Sequence, residues 1–334
     1  MHIPALSIGT RVPLAPFGGR VHSVFRAACN IEPDDGRLLT VLDARGNVPY
    51  GIRVAGGFDF RHLIEPGERV KGDGVVVRFA RLMVDFSGAP PARTSLCHIT
   101  LDMERSGSRA AWQAAWSKVL SAGQPDGLGV TRPRIAALVQ ATRALDATRA
   151  ASAACGAIGL GSGLTPAWDD FLVGFLCALR VTARGRHEHL KFLAALCEAI
   201  RAAAHETSFV SRAQLEHAAG GHASELVVAL LDAIAAGDVL HTVRATEHAV
   251  AVGSTSGTDT ALGILCGCAA WDAVQVSEAA PLAPYLPLVG RSPRVARRVG
   301  SFDELKTPPL SPPHKGEGDA VAVSCRHGFD DGGR

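Results

Sequence analysis

Two segments of this chain are built to one plan, and no other feature narrows its fold as much. The first reads Gly159-Leu160-Gly161-Ser162-Gly163-Leu164-Thr165-Pro166-Ala167-Trp168-Asp169-Asp170-Phe171-Leu172-Val173-Gly174, the second Gly253-Ser254-Thr255-Ser256-Gly257-Thr258-Asp259-Thr260-Ala261-Leu262-Gly263. In each, a loop of Gly, Ser or Thr leads into a helix with an aspartate in its first turn and a glycine four residues on: Asp170 with Gly174, Asp259 with Gly263. Thr165 suits an N-cap and Pro166 the first helical position. The helical period puts each aspartate and its glycine on one face, where Ala178 and Gly267 extend the two small-residue stripes. Such stripes let two helix backbones approach closely with their loops side by side. The sequence therefore predicts one composite site made by both motifs.

A helix start offers free N–H groups and a positive dipole end, and a glycine loop beside it wraps an anion closely, so phosphate or carboxylate suits this design. An aspartate in a first turn also complements the dipole with no ligand present, which is the plainer reading of Asp169 and Asp170. Better-known glycine patterns do not fit. Pro166 stands where a dinucleotide fingerprint needs glycine, no lysine completes a triphosphate loop, and Thr255 occupies the centre of what would be a nucleophile elbow. Between the motifs, Thr207, Ser208, Ser211 and Arg212 fall at helical spacing, which reads either as a capped helix start or as a strip facing the ligand. Arg212 is the sharper candidate, because guanidinium holds a carboxylate or phosphate through paired hydrogen bonds. The thirteen histidines, His217 and His222 among them, form no zinc-enzyme arrangement and read as surface or core residues. No cofactor is implied. Oxygen ligands at Asp169, Asp170 or Asp259 suit magnesium, though no spacing demands it.

The rest of the chain gives these motifs a setting. Strand signals occur at residues 21–25, 38–42, 52–54, 75–79 and 82–86, with Asp73-Gly74 as a hairpin turn. After Met103 the composition turns alanine-rich, and helices are expected at 110–121, 134–154, 166–181, 189–203, 208–219, 223–235 and 258–271. The fold class is thus α+β: a β-rich N-terminal unit over 1–105, a mainly helical unit carrying the glycine-rich motifs over 106–305, and a Pro-rich tail over 306–334 expected to be disordered. A net charge of +2 gives no electrostatic case for nucleic acid. Apolar runs at 171–179, 226–236 and 261–270 fall short of the roughly 20 residues that span a bilayer. Residues 1–20 lack a secretory pattern, and the eight cysteines lack a disulfide framework or a CxxC pair. A cytoplasmic protein is expected.

The segments 159–174, 207–215 and 253–263 resemble an AllH-like family, through the GLTP-x-x-DD and SGTD-x-x-x-G patterns, and the resemblance runs from about 22 to 289. Its best-understood members look like the third subunit of oxamate carbamoyltransferase. The resemblance implies carbamoyl transfer between oxalurate and phosphate late in allantoin breakdown, a small anionic substrate, and two other protein subunits as partners. It assigns Gly161, Ser162, Gly163, Thr165, Thr255, Ser256 and Gly257 to an anion cradle, with Asp170 and Asp259 orienting the carbamoyl NH2 or a metal. Ala167-Trp168 replaces the Ser-Gly step usual in the family, which bears on ligand shape. The other reading is a non-catalytic subunit that binds a small anion or serves assembly.

Overall fold

A computed structural model describes residues 1–43, 45–57, 59–122, 132–161 and 164–271. Ser162, Gly163 and the tail expected to be disordered lie outside the described residues.

Eight short strands close into a barrel: β1 (His2–Ile8), β2 (Phe17–Val24), β3 (Ala28–Pro33), β4 (Leu39–Leu42), β5 (Gly51–Val54), β6 (Arg69–Gly72), β7 (Val76–Arg78) and β8 (Met83–Asp85). Their spatial order is β1-β5-β4-β3-β2-β6-β7-β8, and β8 returns to pair in parallel with β1. Alternate residues point inward, so Val21, Cys29, Ile31, Leu39, Val41, Ile52, Val70, Val77 and Val84 fill the interior. The Asp73-Gly74 turn joins antiparallel β6 and β7, with the Asp73 carboxylate accepting from the N–H groups of Val75 and Val76. Closure leaves no unpaired sheet edge along this ring.

The described helices that follow are α1 (Ser106–Ser121), α2 (Arg132–Arg143), α3 (Ala147–Cys155), α4 (Ala167–Thr182), α5 (His187–Ala203), α6 (Phe209–Ala219), α7 (Glu225–Ala236), α8 (Val239–Val250) and α9 (Ser256–Cys268). Two sequence expectations change here. The single helix read over 134–154 is two, because Leu145 turns to φ 54° and the Asp146 side chain caps a new helix through the Arg149 N–H. The residues of α8 carried no helix expectation, yet Asp238 caps that helix in the same manner through His241. No helix among the described residues is long and apolar enough to cross a membrane.

Helix α4 is the axis of the helical part, with Trp168, Phe171, Leu172, Phe175, Leu176 and Leu179 all fully buried. Its partner is α9, and the two pack backbone against backbone. A Cβ at Gly174 would lie 2.0 Å from the Thr260 carbonyl oxygen, and one at Gly263 would lie 2.0 Å from that of Phe171. The contact is reciprocal: the residue after each motif's aspartate abuts the other motif's glycine. The barrel and this helical part belong to one compact unit, Met1–Val289. They are joined through the start of α7, where Glu225 donates its N–H to the Asn47 carbonyl and accepts from the N–H groups of Asn47 and Arg93. Just upstream, Leu96 donates to Gly221 and Ala223 to Thr94. These bonds fix the loop before β5, with Tyr50, beside His222 and α6.

Candidate functional site

The two motifs meet. The Thr165 hydroxyl, two residues before the start of α4, lies 2.8 Å from that of Ser256, the first residue of α9. This bond explains a small departure from expectation: Pro166 is the N-cap of α4 and no side chain caps it, because Thr165 is engaged across the interface. Beside this bridge lies a cavity of about 250 Å³. The starts of three helices open on it, through Asp170 of α4 with Thr165 just ahead of it, Leu226 of α7 with its N-cap Ser224, and Ser256, Gly257 and Thr260 of α9. Converging helix starts place several positive dipole ends around one space. The opposite wall is Tyr50 from the barrel with Gln214 and His217 of α6 and, beyond α6, His222. Apolar side chains complete it, and its described lining holds neither lysine nor arginine.

Asp169 and Asp170 are neighbours with different surroundings. Asp169 is fully buried and spends both oxygens on protein, accepting from the Gly159 N–H at 2.9 Å and from the Thr207 hydroxyl. Burial raises its pKa, while these hydrogen bonds and Ser211 pull it back. Asp170, also buried, faces the cavity, and its Oδ2 has no hydrogen-bond partner among the described residues. Burial pushes its pKa up to about 8; Ser256 and Thr165 draw it down, and the charges of Asp259 and Asp169 raise it further. At neutral pH this carboxyl holds its proton and can donate a hydrogen bond. Asp259 is fully buried with neither oxygen hydrogen-bonded among the described residues. Burial lifts it to about 6, with only the Thr255 side chain pulling the other way.

The remaining sequence candidates divide into scaffold and surface. A Cβ on Gly161 would stand 2.7 Å from the Ala167 nitrogen, and one on Gly257 would stand 2.0 Å from the Ala249 carbonyl, so both permit close packing around the site. Thr255 precedes α9, and its carbonyl accepts from the Asp259 N–H at 2.9 Å. Ser208 caps α6 through the Ser211 N–H at 3.1 Å and donates its hydroxyl proton to the Leu164 carbonyl, while Ser211 is buried. Ser208 thus lashes the start of α6 to the first glycine loop, and Thr207 lashes it to the first turn of α4. Arg212 is not brought to the Asp170 cavity; it lies on the outer side of α6, paired with Glu216 at 3.0 Å, in a neighbouring cleft. Among the described residues no group of three or more His, Cys, Asp or Glu side chains is placed to hold a metal.

Sequence reasoning passed over Tyr50 and Gln214, and it read His217 and His222 as surface or core residues, yet all four line the cavity. Tyr50 and His217 stack at 5.0 Å, and Gln214 hydrogen-bonds the Tyr50 side chain, whose pKa burial raises. Burial drives His217 down to about 4 and also lowers His222, with Arg11 adding to both. Their spacing gave one usable signal: Gln214 and His217 sit three apart on one face of a helix adjoining the motifs.

Fold and site together define a class: a closed barrel joined to a helical part in which two aspartate-bearing helix starts cross over a small, largely apolar cavity. The chain belongs to the AllH family. Residues 4–92 match the AllH family N-terminal domain, and residues 157–268 match AllH, described as oxamate carbamoyltransferase subunit AllH. No curated protein and no solved structure matches the chain.

Proposed function

We propose that this chain is the subunit that binds the oxamate end of the substrate in a carbamoyltransferase interconverting oxalurate plus phosphate with oxamate plus carbamoyl phosphate. It serves purine breakdown by way of allantoin and works with two other protein subunits. The observation that carries this reading is Asp170, a buried carboxyl with one oxygen unpartnered among the described residues, lining a cavity that both motifs build. Oxamate is a small anion with an amide at one end and a carboxylate at the other. Helix starts suit the carboxylate, while the Thr165, Ser256 and Gln214 side chains offer donors and acceptors for the amide. Seven free cysteines among the described residues accord with a reducing cytoplasm.

In the forward direction a phosphate oxygen attacks the terminal carbamoyl carbon of oxalurate. The bond from that carbon to the ureido nitrogen then breaks, and its electron pair stays on nitrogen. Asp170, protonated at neutral pH, supplies the proton that makes this nitrogen the amide of oxamate, and the carboxylate left behind recovers a proton from the incoming hydrogen phosphate or from water. Proton donation of this kind contributes about 10²–10⁴-fold. In the reconstituted three-subunit enzyme, Asp170→Asn is expected to cut carbamoyl transfer at least a hundredfold. The wild-type rate is expected to fall as pH rises through about 8, when Asp170 loses its proton. Unchanged turnover in Asp170→Asn would refute the assignment.

A further inference from the structure

Both proposed substrates are anions, yet the described lining of the Asp170 cavity holds no lysine or arginine. The cations stand next door. A cleft of about 470 Å³ is lined by Arg11, Arg37, Arg201 and Arg212, against Asp35 and Glu216, so four guanidiniums face two carboxylates. Its inner wall is His217 and His222, the same two residues that line the Asp170 cavity. The two spaces are therefore neighbours sharing a partition of two imidazoles.

The arginines of this cleft are not equivalent. Arg37 is paired with Asp35, Arg212 with Glu216 and Arg201 with Glu198. Arg11 instead places its Nη2 2.8 Å from His222 Nε2. A guanidinium only donates, so that nitrogen accepts and the His222 proton resides on Nδ1. Burial and Arg11 keep the imidazole uncharged. Its Nδ1 is itself buried without a hydrogen-bond partner among the described residues. The Arg11 charge is thus met by a neutral ring, and an unspent buried donor sits in the partition. Ion pairs at a protein surface are common and prove little. A concave cleft with excess positive charge, one guanidinium held by a neutral acceptor, and a wall shared with a carboxyl-bearing cavity is a stronger combination.

We propose that this cleft is an oxyanion subsite of the phosphate class, in which Arg11 and Arg212 hold a phosphoryl group against the His217–His222 partition. Resting on the function proposed above, this docks phosphate at the edge of the Asp170 cavity, where His217 and His222 line both spaces and the bound oxyanion adjoins the oxalurate it attacks. Phosphate and carbamoyl phosphate share the chemistry recognised, a compact multiply charged group of oxygen acceptors.

The test uses the full-length chain and calorimetric titration, with inorganic phosphate and with oxamate separately, in a phosphate-free buffer of low ionic strength. The variants are Arg11→Gln with Arg212→Gln together, and Arg149→Gln on α3 as a control, an exposed arginine elsewhere. The double variant is expected to weaken phosphate at least tenfold and leave oxamate unchanged, while the control behaves as wild type. Arg11→Lys, which keeps the charge and loses the fork, should fall between them. Sulfate should compete with phosphate where chloride at equal ionic strength does not. Wild-type phosphate affinity in the double variant, or no phosphate binding by the wild-type chain, overturns the subsite. So does equal loss of oxamate binding, because one shared site would then serve both ligands. If phosphate follows the arginines but oxamate never binds, the subsite stands and the function proposed above fails.

Discussion

The two loop-to-helix motifs are equivalent in backbone packing and unequal in polar wiring. Each contributes the glycine that lets the other helix close in, Gly174 against Thr260 and Gly263 against Phe171. Around the first motif almost every polar group is bonded. Asp169 holds Gly159 and Thr207, Ser208 holds Leu164, and the Trp168 indole donates to the Ala154 carbonyl at 2.8 Å. Around the second, Asp259 is buried and neither oxygen has a well-formed hydrogen bond among the described residues, though the Thr255 side chain lies close enough to lower its pKa. A repeated sequence pattern has thus produced one shared mechanical device and two different chemical environments. The anchored half fixes where Asp170 points; unspent bonding capacity lies at Asp170 and in the second half.

The packing side of this comparison carries the largest expected effect. Gly263→Val would drive a branched side chain into the Phe171 carbonyl, and Gly174→Val would do the same to Thr260. Overpacking costs about 1–3 kcal/mol where neighbours can yield, and more where the obstacle is helix backbone. Each variant is expected to lose more than about 3 kcal/mol of stability in denaturant titration. A loss below 1 kcal/mol in either would mean that the helices are not held at this spacing.

The wiring side predicts opposite responses from adjacent residues. Asp169→Ala leaves the Gly159 N–H and the Thr207 hydroxyl without an acceptor, a cost of about 2–3 kcal/mol. Thermal melts at pH 7 should register it as a clear drop in Tm, and an unchanged Tm would show that Asp169 anchors nothing. Asp170 has a folded pKa of about 8, above the unfolded carboxyl value near 3.9. The native state therefore binds the extra proton. That contribution is complete below about pH 4 and is lost as pH climbs to about 8. Asp170→Asn removes the titration, so it should raise Tm at pH 8 relative to wild type and flatten the decline between pH 5 and pH 8. Asp259→Asn should do the same over the shorter window ending near pH 6, with the smaller gain. Melting curves for either variant that run parallel to wild type across this range would show that its carboxyl is not held protonated.

What was legible in the sequence follows from the same physics. The motifs could be read because glycine stripes and first-turn aspartates are local, and local spacing dictates which residues share a helix face. The β-rich character of the N-terminal half was visible, but β1 and β3 were not. Pro4 interrupts the first, and the second carries Asn30, a buried polar residue hydrogen-bonded to Ser23 and Thr40. Its inward position depends on partners from other strands. Barrel closure was invisible for a related reason, since the parallel return of β8 to β1 is a long-range pairing. Tyr50 was not singled out and His222 was read as a surface or core residue, because both reach the cavity only through bonds between the barrel and the start of α7. Arg212 has the chemistry for an anion, but its helix face directs it to the outer cleft.

The central claim is that Asp170 meets the ligand in a cavity made by both motifs. The most direct measurement is oxamate affinity, by calorimetry at pH 7, for wild type, Asp170→Asn and Asp170→Leu. Asparagine keeps a donor and an acceptor much as a protonated carboxyl does, so its affinity should stay within a few-fold of wild type. Leucine fills similar space with neither, and should weaken binding at least tenfold, about 1.4 kcal/mol, while leaving the protein folded. Wild-type affinity in the leucine variant would contradict the account.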